Sequence, residues 1–284
     1  MLRGGLGPFI KEYKPDVICS THMLYNYSLN TLYPDHEKKP FHQATVITDS
    51  LTINRVWYGT YSDSWYVTNS ATKENLERKG VHSEDLFDLG FPVSLEFDQM
   101  AHGGGIQYKR GDQPRILYVV NSTGIDSLAV ARHILKKTDY QLTVTVGKNR
   151  RLNAEMKEEF AADIETGRMT LLGWTDQIPQ LMMDHHVVIS KAGGATTQEA
   201  IAAHTPMLVT HIVPGQEEGN YLLLEKNRAG AYTPSAESII SCLDKLFDDD
   251  GKLYEEYLNH IQKLATPQAA HQIAKHLINQ VHET

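Results

Sequence analysis

One stretch concentrates residues whose types and spacing suit phosphate chemistry: Val187-Val188-Ile189-Ser190-Lys191-Ala192-Gly193-Gly194-Ala195-Thr196-Thr197-Gln198-Glu199-Ala200. A β-branched run gives way to paired glycines and then to helix formers, so a strand would pass through a tight loop into a helix. The first turn of such a helix offers bare N–H groups and about half a positive charge from its dipole, and two threonine hydroxyls stand beside them. A plainer account fits equally well. Gly193-Gly194 can serve only to turn the chain, and Thr196-x-x-Glu199 matches a capping box that any well-built helix can carry. A second polar loop, His211-Ile212-Val213-Pro214-Gly215-Gln216-Glu217-Glu218-Gly219-Asn220, follows the apolar run Met207 to Thr210. Its amides and carboxylates suit hydroxyl groups. Two neighbouring loops thus converge, one suited to a diphosphate and one to hydroxyls.

Such loops need strands to hold them. Short β-branched or aromatic runs fall at Asp16 to Ser20, Ala44 to Thr48, Trp65 to Thr68, Arg115 to Val120, Gln141 to Val146, Met169 to Leu172, Val187 to Ser190 and Met207 to Thr210, with helical spacing between them. That alternation predicts parallel sheets with crossover helices, an α/β chain. The runs are nearly continuous in apolar residues, as strands covered on both faces are. Open parallel sheets bind ligands beyond the carboxyl ends of their strands, which is where both loops fall. Gly, Lys, Arg and Asp between residues 97 and 112 mark an interdomain linker. Past Thr233-Pro234 three helical patterns follow, Ser235 to Phe247, Gly251 to Leu264 and Pro267 to Val281, the last with Thr266 as N-cap and Pro267 at N1. The expected divisions are therefore 1–100, 113–266 and a terminal helix over 267–284.

The 284 residues suit two domains. Lys plus Arg number 27 against 35 Asp plus Glu, a net charge of −8, which argues against a dedicated nucleic-acid binder. No apolar run approaches the roughly 18 residues that span a bilayer. Two distant cysteines, Cys19 and Cys242, leave no material for a disulfide scaffold or zinc knuckle, and a reducing cytosol fits best. The N-terminus of the helix that follows Val187 to Ser190 can supply the positive charge that a metal would, so neither a metal nor a cofactor is expected.

Ser190-Lys191-Ala192-Gly193-Gly194-Ala195-Thr196, Glu199-Ala200, Pro206 and Gly215-Gln216-Glu217-Glu218-Gly219-Asn220 together resemble the donor half of glycosyltransferase family 28, in the diacylglycerol glycosyltransferase and monogalactosyldiacylglycerol synthase branch. Val146-Gly147-Lys148-Asn149-Arg150 and Leu172-Gly173-Trp174 resemble further strand ends of that half. Pro15 to His22, Val46-Ile47-Thr48-Asp49 and Leu89 to Val93 resemble the rear of its acceptor domain. The resemblance implies two Rossmann-like doubly wound domains facing across a cleft, the GT-B architecture, with the first domain incomplete and the final helix crossing back to it. It implies that Gly194, Ala195 and Thr196 meet the diphosphate of a UDP-sugar, that Glu199 holds the ribose hydroxyls, that Trp174 sits against the uracil, and that Gly147, Asn149 and Gly193 also line the donor site. Gln216, Glu217 and Asn220 fall to the sugar.

The loop Val120 to Ser127, glycine-rich in the family, keeps only Gly124. Asn121 and Ser122 can still donate to phosphate or ribose, and Asp126 or Ser127 suits an N-cap. His22 and Asp49 each follow a strand and are the candidates for removing a proton from the acceptor hydroxyl; a structural histidine and a turn-forming aspartate are the plainer readings. The aromatic group Trp57, Tyr58, Tyr61, Trp65 and Tyr66 fits a core or a lipid acceptor, and Lys148 to Arg151 fits a helix start or anionic headgroups. The implied function is inverting transfer of a hexose from a UDP-sugar to a lipid hydroxyl, diacylglycerol above all. Peripheral contact with the cytoplasmic membrane face would accompany it. A UDP-sugar epimerase and a nucleotide-sugar binding protein without turnover are the alternatives. Only 15 residues precede Asp16, so a shortened acceptor domain that does not turn over alone is also expected.

Overall fold

The computed structural model describes residues 2–100, 105–121 and 124–282. The chain divides into two compact units, Met1–Val93 with Thr266–Thr284 and Ser94–Ala265. The second division, at 265/266, falls one residue before the expected start of the terminal segment, and the first, at 93/94, falls ahead of the linker expected over residues 97 to 112. The cause is α5 (Leu95–Met100), whose Phe97 is buried and which packs on helices of the second unit.

In the first unit α1 (Leu2–Tyr13), β1 (Val17–Ser20), α2 (Met23–Leu32), β2 (His42–Val46), α3 (Arg55–Tyr58), β3 (Ser64–Tyr66), α4 (Ser70–Glu77) and β4 (Leu86–Phe87) alternate along the chain. The strands form one parallel sheet in the order β1-β2-β3-β4. Both faces are covered, which explains the unbroken apolar runs. Trp65, Val67, Ile47 and Leu86 pack with Ile53, Trp57 and Leu76 in one cluster, while Ala44, Val46 and Tyr66 pack with Ile273 and Leu277 in another.

Those last two residues come from α14 (Ala269–His282), so the terminal helix belongs to the first unit. It begins two residues later than its sequence suggested. Gln268 takes a left-handed φ of 57°, which breaks the turn that Thr266 and Pro267 would have started. The buried stripe is also narrower: Ile273 and Leu277 are buried, whereas Ala274 and Ile278 are exposed. Burying each of the first two contributes roughly 1.5–3 kcal/mol. Gly90 admits the helix. Its φ is +88°, and a Cβ there would meet Thr266 at 2.7 Å.

The second unit contains β5 (Arg115–Val119), α6 (Ser127–Lys137), β6 (Gln141–Thr145), α7 (Arg150–Glu159), α8 (Ala161–Glu165), β7 (Met169–Leu172), α9 (Ile178–Met183), β8 (Val187–Ser190), α10 (Gly194–Ala202), β9 (Met207–Val209), α11 (Glu218–Lys226), β10 (Gly230–Tyr232), α12 (Ala236–Phe247) and α13 (Lys252–Leu264). The strands are all parallel and run in the order β10-β9-β8-β5-β6-β7. Ile116, Tyr118, Leu142, Val144, Val187 and Ile189 close one face against Val130 and Ile134 of α6 and Ile239 and Leu243 of α12. The chain leaves β5 toward β6 on one side and returns to its other side as β8. That reversal is a topological switch point, and the crevice it opens lies at the carboxyl ends of β5 and β8.

Candidate functional site

At the switch point the two strand ends are tied together. Ser190 is fully buried; its Oγ donates to the Val119 carbonyl at 3.0 Å and accepts from Asn121 Nδ2 at 2.9 Å. Asn121, expected on the ligand, is therefore engaged in joining β5 to β8. Ser122, the other candidate of that loop, lies outside the described residues. Gly124 has a φ of +108°, and a Cβ there would come within 2.9 Å of the His211 side chain, so this one retained glycine lets the loop after β5 lie against the loop after β9. Asp126 caps α6, accepting from Leu128 N at 3.0 Å and Ala129 N at 3.2 Å.

The β8 loop bears on the capping-box reading of Thr196 and Glu199. Helix α10 starts at Gly194 with Gly193 as its N-cap residue, and no side chain caps it. Thr196 is already inside the helix, so the capping box does not form. What remains is an uncapped helix N-terminus, with Gly193, Gly194, Ala195 and Thr196 at the switch point, which is anion-binding geometry. One helical turn beyond Thr196 stands Glu199, on the same face. Its carboxyl is half-buried and, among the described residues, has neither a hydrogen-bond donor nor an ion-pair partner. Burial alone pushes its pKa up. A carboxyl in that state can accept hydroxyl donors from a ligand.

The β9 loop differs from expectation. Gln216 is exposed, but Glu217 and Asn220 are buried and turned inward. Glu217 Oε2 accepts from Val213 N at 3.0 Å and its Oε1 pairs with Lys191 Nζ. Asn220 Nδ2 donates to the Ala192 carbonyl at 3.2 Å, and Ala192 N donates to the His211 carbonyl at 3.0 Å. These contacts lock the β9 loop to the β8 loop. Lys191, which ties the two loops together through Glu217, is the side chain that reasoning from the sequence passed over. The signal was a lone cation between a buried strand and two glycines.

Gly147, with a φ of +55°, and Asn149, which caps α7 by accepting from Leu152 N at 3.1 Å, border an open cavity of ≈ 630 Å³ with Lys148, Arg150 and Trp174. Trp174 is 67% exposed, and Lys148 Nζ stands 5.8 Å from the centroid of its ring. An exposed indole beside a cation is a platform for a planar ring.

In the first unit both catalytic candidates serve local structure. His22 is the N-cap of α2, its Nδ1 accepting from Leu24 N at 3.3 Å. Asp49 Oδ2 accepts from Trp57 Nε1 at 2.7 Å. The aromatic group is largely core: Trp57, Trp65 and Tyr66 are buried, and Tyr61 stacks on His36 at 4.1 Å. Among the described residues no group of three or more His, Cys, Asp or Glu could hold a metal ion, and no helix is long and apolar enough to cross a membrane.

Comparison with known proteins adds to this geometry. The family model for monogalactosyldiacylglycerol (MGDG) synthase matches residues 1–93, and that for the glycosyltransferase family 28 C-terminal domain matches residues 125–276. The chain is 26% identical over 258 residues to a processive diacylglycerol beta-glucosyltransferase of Bacillus licheniformis, covering 88% of this chain and 65% of the relative. The Bacillus subtilis protein of that description is 25% identical, with coverage of 88% and 65%. The chain thus spans about two thirds of the length of these relatives. Among solved structures it is similar to an S. aureus MnaA–UDP co-structure, with a TM-score of 0.74 at 16% identity over 99% of this chain and 80% of that one. It is also similar to a UDP-N-acetylglucosamine 2-epimerase, with a TM-score of 0.66 at 15% identity over 99% and 77%. A glycosyltransferase from Rickettsia africae ESF-5 gives 0.57 at 15% identity over 99% and 81%. At such identities the likeness shows the fold alone, and that fold is the expected GT-B class of α/β units with parallel sheets.

Proposed function

Because the chain belongs to glycosyltransferase family 28, we propose that it transfers a hexose from a UDP-sugar to the hydroxyl of diacylglycerol, with inversion at the sugar carbon, to make a glycolipid. The observation that carries the donor side is the half-buried Glu199 carboxyl, which has no partner among the described residues, behind the uncapped N-terminus of α10. In this reading the first-turn N–H groups of α10 receive the diphosphate and stabilise the charge that gathers on UDP as it departs, with no proton or metal required for that step. Glu199 accepts from the two ribose hydroxyls, Trp174 meets the uracil, and the exposed Gln216 addresses the sugar. The acceptor hydroxyl gives its proton to a side chain of the first unit, His22 or Asp49. The acceptor class rests on the diacylglycerol glucosyltransferases that the chain resembles.

Product analysis tests the proposal. The chain is incubated with UDP-glucose or UDP-galactose and diacylglycerol vesicles, and glycolipid and free UDP are measured together. Glycolipid formed in step with UDP supports it. An epimerised UDP-sugar with no glycolipid would replace it with the epimerase reading, which the solved-structure neighbours share in fold.

A further inference from the structure

Lys191 and Glu217 meet beside Gly193, the N-cap residue of α10. A Cβ built on Gly193 would lie 3.1 Å from Lys191 Nζ and 3.8 Å from Glu217 Oε1, so both charges crowd the N-cap. A Cβ there would press on the ammonium, which would have to give by a few tenths of an ångström. The Glu217 side chain is 9% exposed and that of Lys191 28%, which makes this a partly desolvated pair with one end open to solvent. Glu217 is further fixed through its other oxygen by Val213 N at 3.0 Å. The free protein therefore keeps its own carboxylate beside the helix terminus that attracts anions, and keeps the nearest cation bound to it.

We infer that Lys191 is the cation that meets the donor's diphosphate, and that Glu217 is a positioning residue which competes for that cation and so weakens the grip on the nucleotide. The inference rests on the UDP-sugar reading and deepens it. Two anions cannot both draw fully on one ammonium in the same few ångströms, so the diphosphate binds against the resident carboxylate. Glu217 also holds Lys191 over Gly193 while the site is empty, so the cation is already in place when the donor arrives. A transferase must release UDP after each transfer, and a built-in competitor acts on the departing UDP as much as on the arriving donor. Glu217 thereby leaves the sugar-reading role that its loop position suggested. Its contribution depends on charge, and it passes through Lys191.

The test is calorimetric titration of the full chain with UDP and with uridine, which lacks phosphate. Glu217→Gln keeps an acceptor for Val213 N and removes the charge; it is expected to bind UDP about tenfold more tightly and uridine unchanged. Lys191→Met is expected to bind UDP about tenfold more weakly, again with uridine unchanged. The double variant should match Lys191→Met alone, an epistasis that a merely structural Glu217 would not produce. If Glu217→Gln binds UDP no more tightly, or gains equally for uridine, or keeps its gain without Lys191, the inference is overturned. If Glu217→Gln melts as an unfolded protein, Lys191→Met decides alone: lost UDP affinity with uridine retained supports the inference, and unchanged UDP affinity overturns it. A wild-type chain that binds neither UDP nor uridine would overturn the donor reading itself, and this inference with it. That result differs from UDP binding that is intact but indifferent to Glu217.

Discussion

Beyond β1 the His22 ring accepts from Leu24, and beyond β2 the Asp49 carboxylate accepts from Trp57, whereas one turn into α10 the Glu199 carboxyl has no partner among the described residues. His22 and Asp49 were candidates because each follows a strand, and Glu199 because of the family resemblance; all three lie toward the carboxyl ends of parallel strands. The difference lies in what the local chain needs. Helix α2 lacks a Ser, Thr, Asp or Asn at its N-cap, so the His22 side chain fills the role, and the buried Trp57 needs an acceptor for its N–H. Helix α10 begins on glycines and asks nothing of Glu199. A half-buried carboxyl that no local need explains is a functional candidate, because keeping it there lowers stability.

Removing Glu199 should give the largest effect. Glu199→Ala is expected to cost about 1.5–3 kcal/mol of UDP binding, roughly a tenfold to hundredfold loss, by calorimetry. Its melting temperature should hold, since no cap contact is lost. Unchanged affinity would erase the contrast between the units. Glu199→Gln sharpens the point through pH. Burial raises the folded pKa of Glu199 above its unfolded value, so the penalty on the folded state builds as pH rises past the unfolded pKa, is complete above the raised one, and vanishes in acid. Glu199→Gln should therefore be more stable than the wild type in urea at neutral pH, and equal to it near pH 3. A variant less stable at neutral pH would mean that the carboxylate has a stabilising partner.

Asp49→Ala comes next and should act on the fold. Leaving the buried Trp57 N–H without its acceptor is expected to cost about 1–3 kcal/mol in urea unfolding. Unaltered stability would free the Asp49 carboxylate for the acceptor proton and weaken the structural side of the comparison.

How much of this was legible beforehand varies by residue. The strand ends carrying Ser190 and Thr210 could be read because continuous apolar runs give way abruptly to glycine and polar residues. Strands β4 and β10 escaped notice because two and three residues, one of them Gly230, cannot display a period. Thr196-x-x-Glu199 looked like a capping box because spacing shows which residues can meet, and not where a helix begins; here it begins three residues earlier. Glu217 and Asn220 were legible as polar loop residues, yet their inward turn depends on Lys191 and Ala192, partners 26 and 28 positions away. No local pattern reports contacts at that distance.

Trp174→Ala should have a smaller effect, and one of a different kind from Glu199. With its ring 67% exposed, lost stacking is expected to cost about 1 kcal/mol, roughly fivefold, and equally for UDP and uridine. Uridine binding that ignores the change would remove Trp174 from the base side of the site.

The smallest expected effect is the most discriminating for the first unit. If His22 is only a cap, His22→Ala should cost about 1 kcal/mol in urea, and His22→Asn should restore stability to within about 0.5 kcal/mol, because asparagine is among the best N-cap residues. The asparagine variant also removes the imidazole while keeping the acceptor for Leu24 N, so it separates the cap from any proton transfer. Glycolipid synthesis measured on His22→Asn then has a clear meaning. Retained synthesis leaves His22 a structural residue and passes the acceptor proton to Asp49. A loss of a hundredfold or more in a stably folded His22→Asn protein would show that one imidazole both caps α2 and takes the proton. In that case the contrast between the units would narrow to Asp49 against Glu199, and a side chain satisfied by its own backbone could no longer be set aside as structural.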